Sequence, residues 1–581
     1  MATSPSIPVD TDVIVIGSGA AGLATACAAK AMGLDVVIVE KESRFGGTTA
    51  LSGAAIWIPL GDAAIAAEAG DSREKVMEYL HATIGKEADD TLLGAFVDAA
   101  GEALSYLQAH THLRYLPRKT APDYHCENPG ASTTGRVFDV VEFDGRRLGR
   151  NFANLRAPLP THLVFGGMMV NRADVSALLN FGRNRSQSWH SLKLIARYAL
   201  DRINGRRGTR LVVGSALVGR LALSVHEMGI PLWLNCPATG LIRENGRISG
   251  IRCTGTDGQP REIQARHAVV MATGGFAADP ERSRDARGRS ASAHFTMATL
   301  SARGEGQTMA CAEGAIMAQK GQSAFFWAPV SIHRDKTGKQ RQFAHLTLDR
   351  AKPGIIAVNQ QGERFTNEAD SYHRFGAALQ SLSGAGKDTP VAWLLCDAVA
   401  LRKYGLGLAR PYPAHHGNRQ LLRDGYLVSA QNIADLAAQI HAPAASLAET
   451  IARHNGFAET GRDLDFAKGA SAHNISLGDP VVGPNPCLAP LVYPPFHAIG
   501  LHSGDLGTAL GLKTDRRARV LGADNKAIPG LYAVGNDMNS IMGGTYPAAG
   551  ITLGPALTFA YLAAQDIAKK TGFGGDNANQ A

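Results

Sequence analysis

The chain has 581 residues, 45% of them hydrophobic and 19% charged, and carries a formal net charge of +8. That balance describes a globular protein with material for a large core, excludes a disordered or fibrous chain, and at this length predicts more than one domain. No apolar run reaches the ~18 residues of a membrane-spanning helix, and the opening MATSPSIPVD lacks the basic and apolar regions of a secretory signal.

In chain order, the first predicted elements are a strand over 13–16, a helix of small residues over 20–32 and a strand over 36–39 that ends in Glu40. Gly17, Gly19 and Gly22, with Ser18, Ala20 and Ala21 between them, form G-x-G-x-x-G at the strand–helix junction. The glycines serve a tight turn, close approach of backbone to a pyrophosphate, and close packing of helix on strand. The helix N-terminus then favours the phosphates, and Glu40 stands where an acid accepts from ribose hydroxyls. Strand, glycines, helix, strand and acid agree in order and spacing, so a dinucleotide is the expected ligand.

The next loop starts at Lys41 and continues through Phe45 and Gly46 to Gly47, Thr48, Thr49, Ser52 and Gly53. Its glycines and hydroxyls suit a second pyrophosphate face and an isoalloxazine edge, which points to FAD rather than a nicotinamide. The loop holds no histidine for a covalent flavin link, so non-covalent binding is expected. From Arg183 to Arg210 there are eight Lys and Arg against one acid, Asp201. Trp189, Leu192, Ile195, Ala199 and Ile203 recur there at helical spacing. Two readings stand: a helix docked on the core with a solvated basic face, or peripheral attachment to an anionic membrane surface. No recognition motif accompanies the charge, so nucleic acid is not an expected partner.

A helix is predicted over 211–228, a strand over 231–236, and a hairpin over 240–253 that turns at Asn245-Gly246. Ala238, just ahead of the hairpin, is a further expected cofactor contact. A strand over 269–271 runs into Ala272, Thr273, Gly274 and Gly275. Residues 300–495 alternate strands and helices, including a strand over 354–358. The stretch Pro529-Gly530-Leu531-Tyr532-Ala533-Val534 is a third strand and ends at Gly535 and Asn536. A helix pattern over 556–567 follows, and Thr552 and Leu553 ahead of it are expected cofactor contacts. The expected fold is α/β: a Rossmann-like FAD-binding domain built from separated segments, 1–300 and 496–581, with an α+β substrate domain inserted at 301–495. The tail after Lys569 is expected to fray. The seven cysteines, Cys27, Cys126, Cys236, Cys253, Cys311, Cys396 and Cys487, include no C-x-x-C. This argues against an iron–sulfur cluster or zinc ribbon, leaves no expected metal site, and fits reduced thiols in a cytoplasmic protein.

Three segments carry candidate tyrosines: Asp123-Tyr124-His125-Cys126-Glu127-Asn128-Pro129-Gly130, Arg364-Phe365-Thr366-Asn367-Glu368 with Tyr372 beyond it, and Tyr546-Pro547-Ala548-Ala549-Gly550. Alone, a tyrosine is more often core or surface than catalytic; Tyr546 stands apart because a helix start that stabilises reduced flavin follows it. With the FAD motif, Ala-Thr-Gly-Gly and Gly-Leu-Tyr-Ala-Val-Gly-Asn, these segments resemble the 3-ketosteroid dehydrogenases of the fumarate reductase flavoprotein superfamily, over roughly residues 10–570. The resemblance implies that Tyr546 and the amide of Gly550 hold the C3 carbonyl, Tyr372 takes a proton from C2 and Tyr124 assists it. A C1 hydride passes to the flavin, and an electron acceptor such as a quinone reoxidises it. His125 and His373 are alternative bases, and Arg374 a group that would ease ionisation of Tyr372. The family's Tyr-Pro-Gly-Pro-Gly is altered here at Ala548 and Ala549. That leaves room for Δ4(5α)-dehydrogenation or another cyclic ketone. Fumarate-type ene reduction fits less well, since Tyr546 replaces the arginine of that site and His502 and Arg517 complete no matching set. A flavin-binding redox sensor is the non-enzymatic alternative.

Overall fold

The computed structural model describes residues 10–182, 184–205, 207–255, 257–288, 294–382 and 389–571. Strand β1 (Asp10–Ile16), helix α1 (Ala20–Ala31) and strand β2 (Val36–Val39) open the chain as expected. β1 pairs in parallel with β2 on one side and with β3 (Pro260–Met271) on the other. Leu232–Trp233 extends the parallel sheet beyond β2, and Ala527–Ala533 extends it beyond the C-terminal half of β3. Val13, Ile14, Val15, Val37 and Ile38 are fully buried, as strands covered on both faces must be. The predicted hairpin forms between Ala238–Glu244 and Arg247–Thr254, with Asn245 and Gly246 at φ of 49° and 77°. This is the left-handed pair that a two-residue turn needs.

The first and last glycines of the motif are required sterically. A Cβ at Gly17 would lie 2.3 Å from the Ala272 carbonyl oxygen, and one at Gly22 would lie 2.0 Å from that of Gly17. Strand, turn and helix therefore close to a distance that no side chain permits.

The second sheet centres on β4 (Phe496–Thr508), which pairs with Phe325–Arg334, Ala392–Cys396, His294–Thr296 and Val428–Ala430. Gln340–Ala344 and Ile355–Asn359 form its outer strands. This sheet corrects the boundaries expected at 300 and 495. Its members run from His294 to Thr508, because β4 supplies edges to four strands and belongs with them whatever its place in the chain. The sheets meet where a Cβ at Gly275 would lie 2.1 Å from Thr508 Oγ1 and 3.1 Å from the Asn536 carbonyl oxygen.

Helix α2 (Arg185–Asn204) forms from the basic segment, but its apolar stripe does not dock on the core. Trp189, Leu192, Leu200 and Ile203 are 61%, 46%, 62% and 79% exposed, whereas Ser191, Leu194 and Asp201 are buried. Leu194 packs against Met168 and Val170 in a small separate cluster. Arg183 and Arg206 lie outside the described residues, as does the tail from 572. Among the described residues no helix is long and apolar enough to cross a membrane, and no His/Cys/Asp/Glu group has a metal-binding arrangement.

Candidate active site

The glycine turn ends on α1, whose N-terminus has no side-chain cap on Gly19. Thr49 Oγ1 accepts from the Ala20 amide at 3.0 Å, while the amides of Ala21 and Gly22 have no acceptor among the described residues. Free amides at a helix start are what a pyrophosphate requires. The loop expected to wrap it lies against the turn: the Gly46 amide donates to Ser18 Oγ at 3.2 Å, and Gly47 lies beside Gly19. Glu40 is 9% exposed and accepts from Ser18 Oγ at 2.6 Å and from the Glu42 amide at 2.9 Å. Its carboxylate is thereby held at the end of β2. The Cys236 amide donates to the Glu40 carbonyl at 2.9 Å, which brings the segment leading to Ala238 alongside. Lys41 turns away to pair with Glu305 at 2.6 Å, and Thr48 Oγ1 accepts from the Thr299 amide at 3.1 Å. Ser52 closes its own turn on Thr49, and Gly53 has open space beside it.

Asp537 was not singled out from sequence, although it directly follows Gly535 and Asn536. It is fully buried and accepts from Thr273 Oγ1 at 2.9 Å and the Gly275 amide at 3.1 Å. It also bonds the Gly274 main chain, and burial raises its pKa. One carboxylate therefore fastens two of the predicted cofactor segments together. Helix α4 (Leu553–Lys570) starts at Thr552 without a side-chain cap. A cleft opens there, lined by Gly535, Asn536, Ser540, Thr552 and Pro555. Two uncapped helix starts, that of α1 at the glycine turn and that of α4 at this cleft, fit FAD. Gly17, Gly19 and Gly22 would hold the pyrophosphate, Glu40 the adenosine ribose, and the start of α4 the pyrimidine edge.

The three tyrosines converge, each about nineteen-twentieths buried. The Tyr124 ring lies 5.6 Å from that of Tyr372 and 5.9 Å from that of Tyr546, and the Tyr372 and Tyr546 rings lie 5.0 Å apart. Tyr372 faces both other phenols, and Tyr546 also faces Thr552. Tyr372 is the first residue of helix α3 (Tyr372–Ser381), capped by Ser371 Oγ on the Arg374 amide at 3.2 Å. It therefore has a helix start rather than a loop as its support. The Tyr124 amide and the Tyr79 hydroxyl both donate to the Pro547 carbonyl, at 2.8 and 2.6 Å. This locks the first tyrosine loop to the last. Behind it, buried Arg136 spans Asp123 at 2.7 Å and Asp71 at 2.6 Å, a brace that only the tertiary structure reveals. Gly550 has φ +94°, and a Cβ there would lie 2.6 Å from the Ala55 carbonyl oxygen. Its amide has no acceptor among the described residues.

Burial raises the pKa of all three tyrosines, and that of Tyr372 farthest, because it faces two other phenols. Arg374 does not relieve this: it pairs with Glu127 at 2.7 Å and Asp370 at 3.3 Å. Nor is His373 placed as a base. Its Nδ1 accepts from the Trp327 amide at 3.1 Å, and its ring also bonds the Gly544 main chain. His125 has an unpartnered Nδ1 among the described residues, as His473 has an unpartnered Nε2 4.5 Å, ring to ring, from Tyr124. Burial pushes His125 down to about 4, and His373 and His473 to about 3.

These shifts predict acid lability. A histidine kept neutral when folded titrates near 6.5 when unfolded, so the unfolded chain binds more protons below that pH. Stability then falls by about 1.4 kcal/mol per pH unit for each such histidine. The melting temperature should drop as pH goes from 7 to 5; a flat profile would contradict neutral burial of these rings.

A dinucleotide cradle meeting a buried cluster of tyrosines is the layout of an FAD-dependent oxidoreductase. The chain belongs to the FAD binding domain family, whose model matches residues 12–553. It is 35% identical to a 3-oxosteroid 1-dehydrogenase of Mycolicibacterium smegmatis, over 96% of this chain and 97% of that one. It is also 35% identical to a 4-oxocyclohex-2-ene-1-carboxylate 5-dehydrogenase of Sinomonas cyclohexanicum, over 96% and 94%. The fold matches that of 3-ketosteroid Δ1-dehydrogenase from Sterolibacterium denitrificans, solved with 1,4-androstadiene-3,17-dione. The TM-score is 0.86 and the identity 33%, over 97% of this chain and all of that one. The resemblance read from the motifs is thus shown across nearly the whole chain. The flavin should be released entirely into the supernatant when the protein is precipitated with acid; yellow colour kept in the pellet would mean a covalent link.

Proposed function

We propose that the protein desaturates a 3-ketosteroid between C1 and C2. The observation that carries this reading is the buried cluster itself: three phenol rings packed together, beside a glycine whose amide has no acceptor among the described residues. Bound FAD supplies the hydride acceptor. Tyr546 and the Gly550 amide donate to the C3 oxygen, so charge that builds on the ketone as C2 loses its proton meets two donors, each worth about 3–4 kcal/mol in such sites. Tyr372 accepts the proton, and Tyr124 shares it by hydrogen bond. Burial in an apolar pocket excludes water from the enolate.

The reading is tested by anaerobic mixing of the yellow protein with 4-androstene-3,17-dione and analysis of the product. Bleaching with a 1,4-diene product supports it. Bleaching only by 4-oxocyclohex-2-ene-1-carboxylate supports a second reading, favoured by the equal likeness to the Sinomonas enzyme. Loss of a C4–C5 hydrogen pair from a 5α-steroid would assign Δ4(5α) chemistry. No bleaching by any ketone, with FAD retained, would leave the sensor.

We also propose that α2 seats the protein on an anionic bilayer at the cytoplasmic face, where a quinone is at hand as electron acceptor. The support is the solvent-facing apolar stripe, flanked by Arg185 and Lys193. Exposed Phe165 and Phe181 add to it, and the Phe165 carbonyl accepts from α2's Tyr198 at 3.1 Å. Vesicles containing phosphatidylglycerol should sediment the protein at low salt, and Trp189→Glu with Ile203→Glu should release it. Sedimentation unchanged by that double variant, or self-association through the same face, would reject the bilayer as occupant.

A further inference from the structure

The tyrosine cluster is short of one thing. A phenol acts as base only as phenolate, and burial opposes that form. Tyr124 faces Tyr546, Arg118 and Arg350, and Tyr372 faces Tyr124, Tyr546 and Arg118. His473 lies against Tyr124, and His373 against Tyr546. Both histidines are neutral at working pH, so the positive charges available are the two arginines. Arg118 makes a two-pronged pair with Asp139, at 2.9 and 2.5 Å, which offsets its charge.

Arg350 is different. It is 2% exposed, and its guanidinium makes no ion pair among the described residues. Its donors go to main-chain carbonyls: Nε to His345 at 2.6 Å, Nη2 to Leu346 at 2.8 Å, and Nη1 to Glu368 at 2.8 Å and Asp370 at 3.2 Å. The nearby acids are engaged elsewhere: Asp349 with His345, Glu368 with Arg364 and Lys468, Asp370 with Arg374. Its guanidinium carbon lies 4.8 Å from the ring centre of Phe375, one turn into α3. Burial lowers its pKa only to about 10, so the charge persists at neutral pH. Burying an arginine without a carboxylate in contact is costly, and a fork of main-chain acceptors makes the site specific for arginine geometry.

We propose that Arg350 is the positioning residue of the tyrosine base: its fork fixes the turn that presents Tyr372, and its unpaired charge favours the ionised state of the Tyr124–Tyr372 pair. The carbonyls of Glu368 and Asp370 precede Tyr372 by four and two residues, so the fork sets where α3 begins. The charge acts through space on phenols in a site that excludes water, where screening is weak.

The inference rests on tyrosine as base, and the experiment separates the two. Single-turnover reduction of the bound FAD by 4-androstene-3,17-dione is followed from pH 6 to 12 in wild type, Arg350→Lys, Arg350→Gln and Asp349→Asn. Wild type should rise with pH; a flat wild-type profile sinks the phenolate base itself. Arg350→Gln should move the rise to higher pH by about one unit, a roughly tenfold loss at neutral pH, with steroid affinity unchanged. Arg350→Lys keeps the charge without the fork, so it should hold the wild-type midpoint at a lower plateau. Asp349→Asn removes a nearby negative charge and should move the rise to lower pH. An unmoved midpoint in Arg350→Gln overturns the inference, as does a midpoint in Arg350→Lys displaced as far as in the glutamine variant. If Arg350→Gln fails to fold, an unmoved midpoint in Asp349→Asn overturns it instead.

Discussion

Tyr546→Phe should fold, keep its FAD and lose two to three orders of magnitude in turnover. The ring is 4% exposed and packs edge-on against Phe326 and Tyr372. Phenylalanine preserves those contacts and deletes only the hydroxyl. What is lost is one of two donors to the substrate oxygen, an interaction that strengthens as charge builds in the transition state and is worth about 3–4 kcal/mol. The loss should therefore appear mainly in kcat. Wild-type kcat in this variant would remove Tyr546 from the carbonyl clamp.

Tyr372→Phe should have the larger effect. It removes the oxygen proposed to take the C2 proton and leaves the ring that packs against the substrate and against Tyr124. Steroid should still bind, visible as a perturbed flavin spectrum, while flavin reduction becomes very slow. The wild-type rate should climb with pH through the neutral and alkaline range. The folded pKa of Tyr372 is raised above 10 by burial, so its phenolate fraction grows about tenfold per pH unit below that value. Tyr124→Phe should be milder, since Tyr124 only shares the proton. His373→Ala should lower stability rather than alter the pH profile, because both faces of that imidazole are committed to main-chain groups. If Tyr372→Phe reduced flavin normally while Tyr124→Phe abolished reduction, the base would have to be reassigned to Tyr124.

The cofactor half of the site was legible because its logic is local. Gly17, Gly19, Gly22 and Glu40 lie within one strand–helix–strand unit, and steric demand at the turn leaves a mark on the sequence. Asp537 could have been read as well: an acid that follows Gly-Asn at the end of a buried strand needs donors, and the Thr273–Gly275 turn supplies them. The catalytic half was legible only through resemblance. Nothing in the local sequence around Tyr124, Tyr372 or Tyr546 says that residues some 250 and 170 positions apart share one pocket.

By itself the sequence determined the parallel sheet core, the phosphate-binding turn, the Asn245-Gly246 hairpin and the presence of the last helix. Each depends on backbone geometry set within a few residues. Tertiary structure alone decided the rest. It placed β4 in the second sheet, because strand pairing ignores chain order. It turned the apolar stripe of α2 outward, because helical periodicity shows that a face exists and not what meets it. It committed Arg374 and His373 to partners that disqualify them, and it enclosed Arg350 in a ring of carbonyls, because the pairing of a charge depends on which segments fold against it.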